Sequence, residues 1–203
     1  MAASDVIPVI ISDEVALDAD GISTAASVGN NAALTIGGAL ADGGSVTNAS
    51  GRQVTILSAG DDSGISFTAV GTDVNGDTLT ESVTGANAGT ATSSGYFKTI
   101  TSITAVGNPA GNVSAGINNN ALGVVFEGRC RLQSFSFVSG GSAGTANIRN
   151  TGGTGSELIQ FRSVGTDSTS EDRLIPNNGV LFSAGCYVTF IIGTVDLMMF
   201  YHA

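Results

Sequence analysis

The chain has 203 residues and a mass of 20.1 kDa, 42% of them hydrophobic and only 12% charged, and Gly, Ser, Thr and Asn together fill 87 positions. Long helix formers are scarce, which argues against a helical bundle or a doubly wound α/β enzyme and for an all-β protein with many tight turns. Seven basic residues against 17 acidic ones give a net charge of −10, so the basic footprint needed to bind nucleic acid or an anionic membrane surface is missing.

Val6 to Val15 is rich in apolar residues but contains Pro8, which cannot donate to a ladder, so it reads as an edge strand or arm. From Asp18 to Ser50 small residues dominate, broken by turn signals at Asp20-Gly21, Gly29-Asn30, Gly37-Gly38 and Asp42-Gly43-Gly44. Only Ala33–Ile36 and Ser45–Thr47 read as short strands. Residues 1–50 are therefore expected to form an extended N-terminal arm with short strands, part of it ordering only against a neighbour.

Residues 51–120 are expected to form a first β module. Gln53–Leu57 is a short strand, and Ile65, Phe67 and Ala69 alternate with Ser66 and Thr68, the period of a half-buried strand. Asn75-Gly76 comes next, the strongest two-residue hairpin signal, and predicts a type I′ turn with positive φ at both positions. Asp77–Thr84 is the return strand, and Phe97–Val106 adds another with Ile100 and Ile103 buried. Gly116 to Gly123, with three consecutive Asn, reads as a linker or long turn.

Residues 124–203 are expected to form a second module. Val124–Phe126, Arg129–Val138, Thr145–Arg149, Glu157–Val164, Gly179–Phe182, Cys186–Ile192 and Val195–Tyr201 are strands separated by Gly-rich turns. The inward face of Glu157–Val164 is ambiguous. The expected architecture is thus two small antiparallel β-sandwich or jelly-roll-like modules with an extended N-terminal arm. Charge divides unevenly between them: residues 1–123 carry 2 basic and 11 acidic groups, residues 124–203 carry 5 and 6. Ile65–Asp73 also echoes Ile159–Asp167, with six of nine positions identical. A duplicated sandwich would produce this, and so would two unrelated strands ending in the same turn.

Chemistry-bearing groups are few. The one His, His202, leaves no Ser-His-Asp or Cys-His arrangement unless it folds into a site, and no multi-His metal centre. The one Lys, Lys98, has no phosphate-loop context. Asp61-Asp62, Asp73 with Asp77, and Glu171-Asp172 are the carboxylate pairs, but a sugar cleft also needs aromatic platforms, and the chain has no Trp and three Tyr. Asp73, Asn75 and Asp77 alternate like the first ligands of a calcium loop, yet the Gly falls at the fourth position rather than the sixth and no Glu stands at the twelfth. The plainer reading is a hairpin turn whose side chains cap backbone amides. Neither enzymatic activity nor a cofactor is expected. Cys130 and Cys186 are either two small buried hydrophobes or a disulfide between strands.

The N-terminus lacks the basic residues and apolar core of a signal peptide, and Val188–Tyr201 is too short for a bilayer and broken by Gly193 and Asp196, so synthesis and folding in the cytoplasm are expected. Phe190–Tyr201 is nevertheless unusually apolar. Either it supplies the central strands of the second module or part of it faces a partner. Adjacent Met198 and Met199 would point to opposite faces of a strand, which calls for cover on both sides.

The run from Val54 to Gly85, continued by Asn87-Ala88-Gly89-Thr90 and Ser94 to Thr104, resembles a module of virion proteins of tailed bacteriophages, especially marine and cyanobacterial ones. The ending Asn178 to Thr189, with an apolar strand after it, is similar to β-sandwich proteins of phage capsids and tails. The resemblance covers residues 52–106 and, more weakly, 124–203, and carries no catalytic motif. It implies a structural role in a virion. Within that family, size, charge and two small β modules resemble capsid decoration (cement) proteins. The implied partners are the major capsid protein and other copies of the chain, as a homotrimer on the capsid surface. The arm and the apolar terminus supply the contact candidates: Val6, Ile7, Val9, Ile10, Ile11, Met198, Phe200 and Tyr201. A tail, neck or head-fibre component is the alternative.

Overall fold

The computed structural model describes residues 6–11, 16–139, 143–164, 170–191 and 195–203. Its strands, in chain order, are β1 (Ile7–Ile11), β2 (Asp18–Ser27), β3 (Ala41–Asp42), β4 (Ser45–Ser58), β5 (Ser66–Thr72), β6 (Thr78–Thr84), β7 (Thr90–Thr92), β8 (Phe97–Val106), β9 (Asn112–Phe126), β10 (Cys130–Ser139), β11 (Ala143–Asn150), β12 (Glu157–Val164), β13 (Ser170–Leu174), β14 (Val180–Phe182), β15 (Cys186–Ile191) and β16 (Val195–His202). The protein is all-β, and its sheets are antiparallel. The chain divides into two compact units: Val15–Asn119, and Asn120–Ala203 together with Met1–Glu14.

In the Val15–Asn119 unit the strand path runs β9-β4-β8-β5-β6, with β2 on β9 and with β3 and β7 on β4. Alternation sends Phe67 and Ala69 of β5, and Ile100, Ile103 and Ala105 of β8, into one core with Val54 and Ile56. The expected arm over residues 1–50 is corrected here. From Val15 onward these residues belong to this unit, with Ile22, Val28, Leu34 and Val46 buried in its core. Most side chains of β2 are Ala, Ser and Asp, so an apolar periodicity never develops in the sequence. Its ladder to β9 is also irregular, with two register shifts.

The expected linker over Gly116–Gly123 lies instead inside β9, the longest strand. Ile117, Ala121 and Leu122 are buried, and the Asn side chains serve the ladder rather than a turn. Asn118 Nδ2 donates to Gln53 Oε1 at 3.0 Å, and Asn119 Oδ1 accepts from Leu17 N–H at 2.6 Å. Arg52, itself buried, donates to the Asn118 carbonyl.

β5 and β6 form the expected hairpin, in register from Ser66↔Thr84 to Thr72↔Thr78. Its turn is longer than a two-residue type I′ turn. Gly76 has φ +86°, whereas Asn75 is not among the positive-φ residues. Gly76 N–H donates to the Asp73 carbonyl at 3.2 Å and Asp73 N–H to the Asp77 carbonyl at 2.8 Å, a type I turn closed by a glycine bulge. The cause is Asp73, whose Oδ1 accepts from the N–H groups of Asn75 (2.9 Å) and Asp77 (3.0 Å) and so starts the turn one residue early.

In the second unit two sheets, β1-β16-β10-β13 (with β14 on β10) and β12-β11-β15-β9, enclose a core of Leu132, Phe135, Phe137, Ile148, Phe161, Phe182, Val188, Leu197 and Met199. Phe161 meets Phe135 in a tilted contact and stacks on Phe137, with ring centres 4.0 and 5.9 Å apart. Phe161 is buried and Leu158 is 45% exposed, which fixes the inward face of β12. β13 is not legible as a strand: Ser-Glu-Asp-Arg-Leu shows no apolar alternation. The sequence echo falls on strands in different surroundings. β5 lies between β6 and β8, β12 pairs among the described residues with β11 alone, and the second Gly-Thr-Asp lies outside the described residues.

Candidate functional site

β1 is an edge strand, as Pro8 requires, and it pairs with the last strand of the chain, β16. This brings the two groups of contact candidates together: Ile10 stands opposite Met198, Pro8 opposite Phe200, and Ile7 opposite Tyr201. On its other side β16 sets Met198 opposite Ser136 and Phe200 opposite Ser134, and β13 sets Leu174 opposite Ser134.

Strand alternation sorts the candidates into two sets. Leu197, Met199 and Tyr201 of β16 point into the core, with Tyr201 stacked on Phe126 at 5.1 Å. Ile11 is also buried there, and Val9 packs against the same cluster. Ile11, Val9 and Tyr201, expected as contact residues, are therefore core residues of this unit. Val6 and Ile7 are each 41% exposed, at the sheet edge. Ile10 and Met198 remain on the outer face, 67% and 37% exposed, with half-buried Phe200 beside them.

Pro8 and Leu174 complete this face, Leu174 at 82% exposure. Single exposed apolar residues are ordinary, but Pro8, Ile10, Met198 and Phe200 are register neighbours on one face, with Leu174 beyond them across Ser134 of β10. Between β10, β13 and β16 this face sinks into a shallow groove of about 490 Å³ lined by Ser134, Ser136, Asp172, Leu174, Met198 and Phe200. Sequence reasoning misses Leu174 because it misses the strand. The only signal is its spacing from Asp172, two positions away on the same face.

The calcium candidates sit at the β5–β6 turn. Asp73 Oδ1 is occupied by two backbone N–H groups, which is the capping role rather than a ligand's. Among the described residues no three His, Cys, Asp or Glu side chains cluster to hold a metal. Asp73→Ala is expected to cost about 1 kcal/mol in urea unfolding through the loss of these two bonds, and added calcium is expected to leave the melting temperature of the parent chain unchanged.

The other carboxylate pairs are separated by their own backbone. Asp62 is buried and accepts from Ala110 N–H at 2.7 Å, whereas Asp61 is exposed. The Ser63 hydroxyl (2.6 Å) and then the Ser63 N–H (3.1 Å) hold the Asp61 carboxyl below the usual carboxylate range. Glu171 and Asp172 are neighbours on β13 and face opposite sides, with Glu171 paired to Arg173. His202 is exposed at the end of β16. Cys130 and Cys186 are free, buried thiols in one core. No helix among the described residues is long and apolar enough to cross a membrane. No protein-family model, curated protein or solved structure matches the chain.

Proposed function

We propose that this chain is a non-enzymatic structural protein of a tailed-bacteriophage virion. In this reading it is a capsid decoration (cement) protein that binds the outside of the major capsid protein lattice as a homotrimer and stabilises the head. The observation that carries the reading is the apolar patch of Pro8, Ile10, Met198 and Phe200 on the outer face of β1 and β16, with Leu174 of β13 across the serines of β10. It rests on strands backed by a packed core, a geometry suited to a lasting protein contact. The acidic net charge keeps such a chain soluble before assembly.

The test is co-sedimentation of the purified chain with DNA-filled heads that lack it, together with its mass in solution by light scattering. Saturable binding and a mass of about 60 kDa, three chains of 20.1 kDa each, are expected. Failure to bind heads, with binding to purified tails instead, would move the chain to the tail or neck.

A further inference from the structure

Cys130 and Cys186 are 56 positions apart in sequence, yet two crossings of the sandwich place them in one core. The chain leaves one sheet at Phe126 and, after residues 127–129, enters the other at Cys130. It makes the reverse crossing from Phe182, through residues 183–185, to Cys186. The ladders close the figure: Cys130 stands opposite Phe182, and Cys186 opposite Phe126. Each cysteine thus begins its strand beside the residue at which the other crossing starts. Both are buried in the core between the sheets, at 2% and 0% exposure.

We propose that Cys130 and Cys186 are a disulfide-forming pair that staples the two sheets of this unit when the chain meets a small disulfide oxidant such as glutathione disulfide. The thiols are not equivalent. The hydrogen bond from Cys186 holds the Cys130 thiol below its ordinary value, against the opposing effect of burial. That same bond, then burial, then the charge of Cys130 push Cys186 far above its own. Cys130, the first residue of β10, leads the exchange in this proposal. Its thiolate attacks one sulfur of the oxidant, releasing one glutathione thiol and leaving a mixed disulfide on Cys130. Cys186 then gives up its proton and attacks the Cys130 sulfur, releasing the second glutathione. The protein loses two protons and two electrons, and the oxidant is reduced to two thiols. Burial slows this exchange in the folded chain, so the bond forms most readily during folding or in transient opening.

The experiment is refolding of the full chain from denaturant in a glutathione redox buffer, where burial does not limit access. The intact mass is expected to fall by about 2 Da against a dithiothreitol-treated sample, with neither cysteine open to alkylation in denaturant. The melting temperature is expected to rise by about 5–10 °C, since the bond closes a long loop. Cys130→Ser and Cys186→Ser are expected to show no such response to oxidant. If either variant fails to fold, the mass and alkylation of the parent chain decide alone. Two alkylatable thiols after refolding, glutathione retained on one cysteine, or chains linked to each other would overturn the proposal. None of these readouts involves capsids, so the outcome is independent of the decoration reading.

Discussion

Met199→Ala is expected to lower the unfolding free energy by about 2–5 kcal/mol in urea titration, whereas Met198→Glu one position earlier is expected to change it by about 1 kcal/mol or less. The two side chains leave β16 in opposite directions. Met199 is 0% exposed, in the core with Phe135 and Leu197, so truncation removes buried methylene and sulfur contacts and leaves a cavity. Met198 lies on the outer patch opposite Ile10 and Ser136, where a carboxylate can stay hydrated. If the decoration reading holds, the same Met198→Glu chain folds normally and no longer sediments with heads, because an unpaired charge would have to be desolvated in the contact. A folded Met198→Glu chain that still binds heads at parental affinity would remove this face from the contact.

Gly71→Ala is expected to cost about 3 kcal/mol, enough to lower the melting temperature by roughly 6–12 °C in a chain of this size. Gly71 is buried in β5 between β6 and β8, at a register slip between Val70 and Gly71. A Cβ there would stand 1.9 Å from the Thr99 carbonyl oxygen and 2.7 Å from its carbon. Backbone cannot swing aside as a side-chain tip can, so β8 must move and loosen its ladder to β5. Gly64 is the control: it is exposed, no atom lies within 4 Å of an added Cβ, and Gly64→Ala is expected to stay within about 0.5 kcal/mol. Equal melting curves for the two variants would contradict the close approach of β5 and β8.

The contrast between these positions also explains what can be read from the sequence. β8 is legible from end to end because Phe97, Ile100 and Ile103 are large and apolar and turn residues flank the strand. β12 is legible for the same reason, though its inward face depends on Phe161 meeting Phe135 from another sheet. β9 is hidden because Asn118, Asn119 and Asn120 have the composition of a turn. Only the presence of Gln53, Arg52 and Leu17 beside two of them makes them ladder residues. The hairpin at Asn75-Gly76 is legible but its turn type is not, since one aspartate oxygen two residues upstream decides it. The outer patch is half legible. Its residues come from the two apolar ends of the chain, but their sorting into core and surface depends on the pairing of β1 with β16, and the contribution of Leu174 depends on a strand without apolar alternation.

That pairing has a consequence for biosynthesis. Val15–Asn119 is contiguous in sequence and can close its core while the ribosome is still translating residues 120–203. The other unit cannot, because Ile7 waits for Tyr201 and Ile11 for Leu197. During translation, at ~5–20 residues per second, the β1 segment therefore trails unpaired until β16 emerges, and contacts of such sequence separation close slowly. Pro8 guards that interval: a strand that lacks one ladder donor is a poor template for pairing with a neighbouring nascent chain.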